Sequence, residues 1–368
     1  MKISSIILYV IQMPLKAPFT THLGTVSERE GIIIEVIDED AIRGFGEGVA
    51  FSSPWYTEET VKTSLHVIED FLVPLILNKE ISHPKELLSI LEPIRGNHMA
   101  KSALETAVWD LYAKRSEQPL SRLLGGTSDS IPSGVVVATA SIAEALSQIE
   151  TNLAEGYRRF KVKIQPGRDV ELISEIRRQY PDLPLMADAN SAYSLSDVER
   201  LKALDEYNLM MIEQPLGFDD IIDHACLQKS IRTPICLDES IHSLEDARVA
   251  IELGSCKIIN IKMGRVGGLT EAKRIHDYCL EKEIDVWAGG MIEFGISRAH
   301  NIALATLPGF TIPGDISSSS RFWEEDIILP EVIVENGYIK VPIEAGIGFD
   351  INQKRLQEVT VLKKIYKN

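Results

Sequence analysis

The sequence predicts a (β/α)8-type barrel that carries an α+β capping domain, and two regularities of the chain support this fold class. Charged residues end successive strand-like runs at spacings of 25, 25, 25 and 24 residues: Lys163, Asp188, Glu213, Asp238 and Lys262. Amphipathic stretches of helical period separate these runs. A doubly wound open sheet is the alternative fold, but a long regular repeat fits a closed barrel better.

The same spacing extends the repeat in both directions. It reaches GVVVATA at 134–140, DVWAGG at 285–290 and FTIPGD at 310–315, which gives eight strand-like runs in all. The helical patterns between the runs cover residues 141–156, 169–180, 195–207, 243–254 and 269–283. Barrels of this class place their catalytic groups at the carboxyl ends of the strands, where the charged residues of the repeat are expected.

The first 125 residues follow a different pattern, in which short strands precede long helices. The N-terminal apolar run predicts an edge strand, and residues 31–48 predict a hairpin. Helical patterns then cover residues 57–76, 83–94 and 99–126, the last ending at Gly125–Gly126. These features predict an α+β module.

The repeat sets the expected division of the chain. We predict a capping domain over 1–125, a barrel over 126–316, and a segment over 317–368 that returns to the capping domain. The C-terminal segment is too short for a core of its own. It contains Asn336–Gly337 between apolar runs, which indicates a hairpin turn.

Composition restricts the class of partner. The net charge is −16, which disfavours nucleic acid and anionic membranes. An uninterrupted apolar run long enough for a membrane helix is missing from the sequence, so no span is predicted. The 4 cysteines form no C-x-x-C pair, which predicts reduced thiols and a cytoplasmic protein. A small carboxylate remains the expected substrate, because a local cation can invert the field of an acidic protein.

The carboxylates of the repeat predict a metal site. Asp188, Glu213 and Asp238 offer hard oxygen ligands without Cys or His, which suits Mg²⁺ or Mn²⁺ better than Zn²⁺. Glu239 adjoins Asp238, and neighbouring strand residues face opposite ways. The spacing favours Asp238 as the ligand and leaves Glu239 as a supporting group. Asn190, two residues beyond Asp188, is expected to share its side.

Lysines at two strand ends predict acid–base chemistry. Lys161 and Lys163 share one strand face, and a like charge together with partial burial would lower a lysine pKa toward that of a general base. Lys262 follows the sixth strand, across the barrel mouth. This arrangement suits removal of a proton α to a carboxylate. Return of a proton to the opposite face would give racemisation, and loss of a β-hydroxyl would give dehydration.

The motifs together resemble the enolase superfamily, in its subgroup with lysines on the second and sixth strands. They are K-x-K (161–163), D-A-N (188–190), E-Q-P (213–215), D-E-S (238–240) and K-x-G-R-x-G-G (262–268). The resemblance covers almost the whole chain. It implies that Lys163 and Lys262 form the acid–base pair and that the predicted carboxylates bind Mg²⁺.

Longer segments resemble the o-succinylbenzoate synthase/N-acylamino acid racemase family of menaquinone biosynthesis. They are residues 51–59, 268–277, 289–305 and 311–321. The reaction implied is syn-dehydration of 2-succinyl-6-hydroxy-2,4-cyclohexadiene-1-carboxylate to 2-succinylbenzoate. Some members racemise N-succinylamino acids, and Arg265 matches an arginine associated with that activity. A racemase or a bifunctional enzyme is therefore the alternative.

Other readings fit the sequence less well. Trp287 stands where histidine-based relatives carry His, and Asp315-Ile316-Ser317 lacks the second acid of dipeptide epimerases. A non-catalytic barrel is a third hypothesis, which the intact lysines and acids oppose. Glu293 and Ser317 are candidate substrate contacts, and the loops 19–26 and 51–59 are candidate lids. A homo-oligomer is expected by analogy with the superfamily.

Overall fold

The computed structural model of the chain describes residues 1–21, 24–139 and 141–367. The predicted lid at 19–26 therefore lies partly outside the described residues. The N-terminal part begins with antiparallel strands, namely β1 (Ile3–Thr21), β2 (Gly24–Asp38) and β3 (Arg43–Gly48). The helices that follow are α1 (Val61–Val67), α2 (Val73–Ile76), α3 (Leu87–Leu91), α4 (His98–Arg115) and α5 (Leu120–Leu124). A π-helical stretch, Ile68–Leu72, joins α1 to α2, and a 3₁₀ turn, Pro84–Glu86, leads into α3.

The predicted hairpin is present as β2 paired with β3. Its apolar run is buried on both faces of the sheet. Ile32 and Ile34 belong to a core with Leu104 of α4, whereas Ile33 belongs to the larger core that includes the barrel. Burial on both faces explains why this run does not alternate with polar residues.

Glycines allow β3 to lie directly against α4. A Cβ atom at Gly44 would come within 2.2 Å of Ala107 O, and one at Gly46 within 2.1 Å of Ala103 O. These approaches are far below van der Waals contact. The sheet and α4 therefore pack backbone to backbone at this point.

The predicted helical run 99–126 is two helices, α4 and α5, with a break at 116–119. Pro119 lacks an N–H group and disfavours a helical conformation in the residue before it, which explains the break. Gly125 ends α5 with a φ of 96°, the left-handed conformation that its glycine pair predicted.

After β4 (Ser130–Pro132), a parallel sheet forms the barrel. Its strands are β5 (Val135–Val137), β6 (Phe160–Lys163), β7 (Leu185–Asp188), β8 (Ile212–Glu213), β9 (Ile235–Leu237), β10 (Ile258–Ile261) and β11 (Asp285–Ala288). Each strand pairs with the next one in the sequence. A doubly wound sheet would reverse its strand order, so that alternative is wrong.

The eighth predicted strand is the exception. Residues 310–315, all within the described chain, form no strand, and Pro313 in their midst cannot donate to a ladder. Instead, isolated parallel bridges join Phe310 to Val286 and Gly314 to Ser133. The segment thus fills the eighth position and closes the barrel between β11 and β5.

The barrel helices are α6 (Ile142–Ala154), α7 (Val170–Gln179), α8 (Val198–Ala203), α9 (Ile222–Ser230), α10 (Leu244–Leu253), α11 (Met263–Val266), α12 (Leu269–Glu281) and α13 (Gly295–Leu304). Ser141 and Ser243 cap α6 and α10 through bonds to backbone N–H groups. The predicted helix 195–207 is α-helical only over α8 and has 3₁₀ turns on both sides.

The C-terminal segment contains β12 (Ile328–Leu329), β13 (Tyr338–Lys340), β14 (Asp350–Ile351), α14 (Gln353–Val359) and β15 (Thr360–Lys367). β15 pairs with β1, giving the sheet order β15-β1-β2-β3. The prediction that the N-terminal strand is an edge strand is therefore wrong. At the predicted Asn336–Gly337 turn, Glu335 forms an isolated antiparallel bridge with Tyr338. The strand that follows the turn, β13, pairs with β4 and not with the run before the turn.

Two global features complete the description of the fold. No helix within the described ranges is both long and apolar enough to cross a membrane. The cysteines are free thiols, of which Cys226 is exposed while Cys236, Cys256 and Cys279 are buried.

Candidate active site

The charged residues of the repeat lie together at the carboxyl ends of the barrel strands. Lys163, Asp188 and Glu213 are the last residues of β6, β7 and β8, while Asp238 and Lys262 directly follow β9 and β10. The strand register places Lys163 opposite Asp188, and Asp188 opposite Glu213. Equivalent positions on neighbouring parallel strands point the same way, so the side chains converge.

A cavity opens at this end of the barrel. Its empty volume, open mouth included, is ≈ 830 Å³. Strand-end side chains line one part of it: Lys161, Lys163, Asp188, Asn190 and Lys262. Aromatic side chains of the predicted lid at 51–59 line another part: Phe51, Trp55 and Tyr56. Both predicted catalytic lysines therefore reach the same space.

Lys161 lies at the centre of a group of buried carboxylates. Its Nζ lies 3.2 Å from Asp188 Oδ2, 3.1 Å from Glu213 Oε2 and 2.5 Å from Asp315 Oδ2. Burial opposes the charged form, but the carboxylates outweigh it and raise the pKa of Lys161. The expected lowering of a lysine pKa is therefore wrong for Lys161.

Lys163 shares Asp188 with Lys161. Its Nζ donates to Asp188 Oδ2 at 2.7 Å and to Asn190 Oδ1 at 2.6 Å. Asn190 thus lies on the same side as Asp188. The Lys163 side chain is 22% exposed, against 7% for Lys262, so its amine is the more accessible from the cavity.

Lys262 is held by a second group that includes a residue of the N-terminal part. Its Nζ lies 2.8 Å from Asp238 Oδ2, 2.9 Å from Tyr56 Oη and 4.6 Å from the centre of the Tyr56 ring. Burial disfavours the Asp238 carboxylate, but Lys262 and Arg265 outweigh it and lower the pKa of Asp238.

Arg265 joins this group to the barrel backbone. It forms an ion pair with Asp238 and donates to Tyr56 Oη at 3.0 Å. Its remaining N–H groups donate to Ile241 O and Asn260 O, each at 2.8 Å. Arg265 therefore has both a structural role and a direct electrostatic influence on the partner of Lys262.

Two carboxyls of the site lie where the ionised form is disfavoured. Burial and neighbouring carboxylates raise the pKa of Glu213 to about 8 and that of Glu239 to about 7. Glu239 accepts a bond from Asn190 Nδ2 at 3.0 Å, while its Oε2 is buried without a hydrogen-bond partner. A cation near these oxygens would stabilise both carboxylates.

The side chains do not form a ready coordination shell. Within the described residues, no group of three or more His, Cys, Asp or Glu side chains is arranged to hold a metal ion. The oxygens of Asp188 and Asp238 face Lys163, Lys262 and Arg265 instead. The donor set nevertheless fits Mg²⁺, because it offers hard carboxylate oxygens and the unpaired Glu239 Oε2. Binding would require the carboxylates to turn from the ammonium groups toward the ion.

Glu293 and Ser317, the remaining sequence candidates, both line the cavity. Glu293 accepts bonds from Met291 N and, at 3.0 Å, from Asn301 Nδ2, so it braces the loop that precedes α13. Ser317 is buried in the wall. A contact between either residue and substrate stays a prediction.

Two residues that were not among the predicted site residues contact the predicted lysines. Tyr56 lies 206 residues before Lys262 in the sequence, and no local pattern pairs residues at that distance. Asp315 pairs with Lys161 and also with Arg159, beside Trp287. The strand repeat, which placed Asp315 at the end of the eighth run, was the signal that could have identified it.

Comparison with known proteins shows the family of the chain. Residues 4–125 match the family described as mandelate racemase/muconate lactonizing enzyme, N-terminal domain. Residues 144–355 match the family described as enolase C-terminal domain-like. The chain belongs to the enolase superfamily.

Relatives within the enolase superfamily narrow the assignment. The chain is 58% identical over 365 residues to an o-succinylbenzoate synthase from Geobacillus stearothermophilus, covering 99% of this chain and 97% of the relative. It is 43% identical over 365 residues to an N-succinylamino acid racemase from Thermus thermophilus, covering 99% of each. A crystal structure of an enolase superfamily member from Listeria innocua superposes with a TM-score of 0.98 at 43% identity, covering 100% of this chain and 99% of that one. The predicted resemblance to the o-succinylbenzoate synthase/N-acylamino acid racemase family is confirmed.

Proposed function

We propose that the chain is an o-succinylbenzoate synthase of menaquinone biosynthesis. It converts 2-succinyl-6-hydroxy-2,4-cyclohexadiene-1-carboxylate into 2-succinylbenzoate and water. The observation that carries the proposal is the presence of Lys163 and Lys262, from distant strands, in one carboxylate-rich cavity. The 58% identical relative of that name supports it.

The reaction breaks two bonds on neighbouring ring carbons. The C–H bond α to the carboxylate loses its proton, and its electron pair becomes the new double bond. The C–O bond breaks toward oxygen, and the ring becomes aromatic. In a syn-elimination both groups leave from one face, so a single amine can take the proton and then deliver it to the departing hydroxyl as water.

We assign the proton transfer to Lys163, whose side chain is the more exposed of the two. Lys262 has a complementary role in the reaction. Tyr56 holds its ammonium group at the cavity wall, where it stabilises negative charge developing on the substrate carboxylate. Fixing the ammonium in advance avoids reorganisation during the reaction.

Asp188, Glu213 and Asp238 would hold Mg²⁺ or Mn²⁺, supported by Asn190 and Glu239. When bound, the ion supplies positive charge against the substrate carboxylate. Lys161 lies within ion-pair distance of two of these carboxylates and orients them. Its raised pKa keeps it charged for that purpose.

An N-succinylamino acid racemase is the second candidate, since a relative of that name is 43% identical. Racemisation removes the proton from one face of a carbon and returns a proton to the opposite face, and Lys262 would serve the face opposite Lys163. Arg265, which the family resemblance links to this activity, shares the Asp238 carboxylate with Lys262. A bifunctional enzyme would use both lysines in both reactions.

The test compares two reactions of the Mg²⁺-loaded protein. Dehydration is followed by formation of 2-succinylbenzoate, and proton exchange at Cα of N-succinylphenylglycine is followed in D₂O by NMR. Dehydration with a higher kcat/KM than exchange supports the synthase. The reverse order favours the racemase, and equal values indicate a bifunctional enzyme. Absence of both reactions would leave the non-catalytic barrel.

The remaining expectations stay part of this proposal. The proposed division has a capping domain over 1–125, a barrel over 126–316 and a returning segment over 317–368. The pairing of β15 with β1 supports the last of these. A cytoplasmic location is proposed from the unpaired cysteines, and a homo-oligomeric state by analogy with the superfamily. Sedimentation velocity would test the oligomeric state.

A further inference from the structure

Arg321 lies between the catalytic cavity and a second cavity. The two cavities share Val136, Arg321 and Phe322 as lining residues. The second cavity has an empty volume of ≈ 1610 Å³, open mouth included, and extends along α6. A substrate whose reacting carbon lies at the lysines could therefore extend a side chain toward Arg321.

The cations that line the catalytic cavity differ in their partners. Lys161, Lys163 and Lys262 each form an ion pair with a site carboxylate. Arg298 also forms an ion pair, with its Nη1 3.3 Å from Asp326 Oδ2.

Arg321 is the exception among the described cavity residues, since no carboxylate lies within ion-pair distance of it. Its Nη2 donates to Val136 O at 2.6 Å, which fixes the orientation of the guanidinium. Burial lowers the pKa of Arg321, although Tyr157, Asp315 and Glu155 partly oppose that shift. A partly dehydrated guanidinium without an anion gains much from binding one.

The proposed substrate carries two carboxylates. The one on the ring belongs near Lys163 and Lys262, because the α-proton is removed there. The other ends the succinyl chain, several bonds away, and needs its own cation. The planar guanidinium matches a carboxylate in shape and hydrogen bonding.

We infer that Arg321 binds the terminal carboxylate of the succinyl side chain and so selects succinyl over uncharged acyl substituents. This inference rests on the proposed function. Phe322 and Val136, which line the cavity together with Arg321, would contact the methylene groups of the chain. Arg321 is on this account a specificity residue that takes no part in proton transfer.

The test measures how well the enzyme distinguishes charged from uncharged side chains. The probes are 2-succinylbenzoate and its side-chain amide, compared as competitive inhibitors of dehydration. For the wild-type chain the acid should bind more tightly than the amide. Arg321→Met should weaken binding of the acid by about 10- to 100-fold, the loss expected for hydrogen bonds between charged groups, with little change for the amide. The KM for the dehydration substrate should rise more than kcat falls.

Matched variants separate charge from folding. Arg321→Lys keeps the charge but loses the paired N–H donors of the guanidinium. Its ratio of acid to amide affinity should lie between those of the wild type and Arg321→Met. Arg200→Met removes an arginine that pairs with Asp169 away from the cavity and should leave the ratio unchanged. If Arg321→Met does not fold, Arg321→Gln replaces it.

The outcomes distinguish this inference from the proposed function. An acid-to-amide ratio in the Arg321 variants equal to that of the wild type would overturn the assignment of Arg321. A wild-type chain that fails to dehydrate the substrate would instead overturn the proposed function.

Discussion

At the scale of single residues, Lys163 and Lys262 differ in exposure. Lys163 contacts side chains of the barrel and is partly exposed, while Lys262 is enclosed by Asp238 and Tyr56. The sequence predicted both lysines from their positions in the repeat. It could not predict this difference, because the enclosing tyrosine comes from the N-terminal part of the chain.

Replacing Lys163 tests the assignment of the base. Lys163→Ala should lower kcat for dehydration by at least ~10², as loss of a general base does. Exposed Lys202, on the outside of α8, provides the control Lys202→Ala, which should retain the wild-type rate. Steady-state kinetics of 2-succinylbenzoate formation gives the measurement. Normal turnover by Lys163→Ala would remove Lys163 from the mechanism.

The proposed metal ligands can be ranked by titration with Mn²⁺. Asp238→Asn should weaken Mn²⁺ binding more than Glu239→Gln, because the strand repeat places Asp238 in phase with the other proposed ligands. Electron paramagnetic resonance of the free ion measures both affinities without any need for turnover. A larger loss in Glu239→Gln would mean that Glu239, whose Oε2 has no partner here, is the ligand instead.

Tyr56 offers a graded test of how Lys262 is held. Tyr56→Phe removes the hydroxyl but keeps the ring near Nζ, and should lower kcat by about 2- to 10-fold, the worth of one net hydrogen bond. Tyr56→Leu removes the ring contact as well and should cost more. Equal rates for both variants and the wild type would show that Tyr56 does not influence Lys262.

At the scale of elements, the contact between β3 and α4 depends on the absence of side chains. Gly44→Ala or Gly46→Ala would force a methyl group into the backbone of α4 and should destabilise the fold by about 1–3 kcal/mol or more. Urea unfolding measures the change. Gly217→Ala is the matched control, because a Cβ there meets only atoms at 3.7 Å or beyond. Stability equal to that of the wild type in both β3 variants would contradict the packing described above.

The elements also show what the sequence could reveal. Strand ends were predictable because a buried run that stops at a charged residue is a local pattern, as at Asp188. The closure of the barrel and the pairing of β1 were not, although Pro313 was a local sign against an eighth strand. Closure at Phe310 and Gly314 and the pairing of β15 with β1 depend on contacts between distant parts of the chain. Local periodicity carries no information about such contacts.

At the scale of the whole molecule, buried carboxyls couple stability to pH. Glu47 of β3 accepts bonds from Phe294 N at 2.8 Å and Ser297 N at 2.7 Å, and so joins the N-terminal sheet to the start of α13. Burial raises the pKa of Glu47 to about 8. In the unfolded chain this carboxyl is already ionised at neutral pH.

The sign of the effect follows from proton counts. Between pH ~7 and ~8.5 the folded chain binds more protons at Glu47 than the unfolded chain, so the free energy of unfolding should fall as the pH rises. Urea unfolding at saturating Mg²⁺ measures this slope. Glu47→Gln should flatten it, whatever its effect on absolute stability. An unchanged slope in that variant would assign the titration to other groups.

The antiparallel pairing of β1 with β15 brings the two ends of the chain side by side, with Ser5 opposite Lys367. A short linker could therefore join them without stretching either strand. New ends could then be opened at exposed Lys282–Glu283, between α12 and β11 and at the far end of the barrel from the cavity. In such a circular permutant the chain would begin and end inside the barrel sequence. It should still form the same contacts around the cavity, since the fold depends on spatial neighbours rather than on the order of segments along the chain.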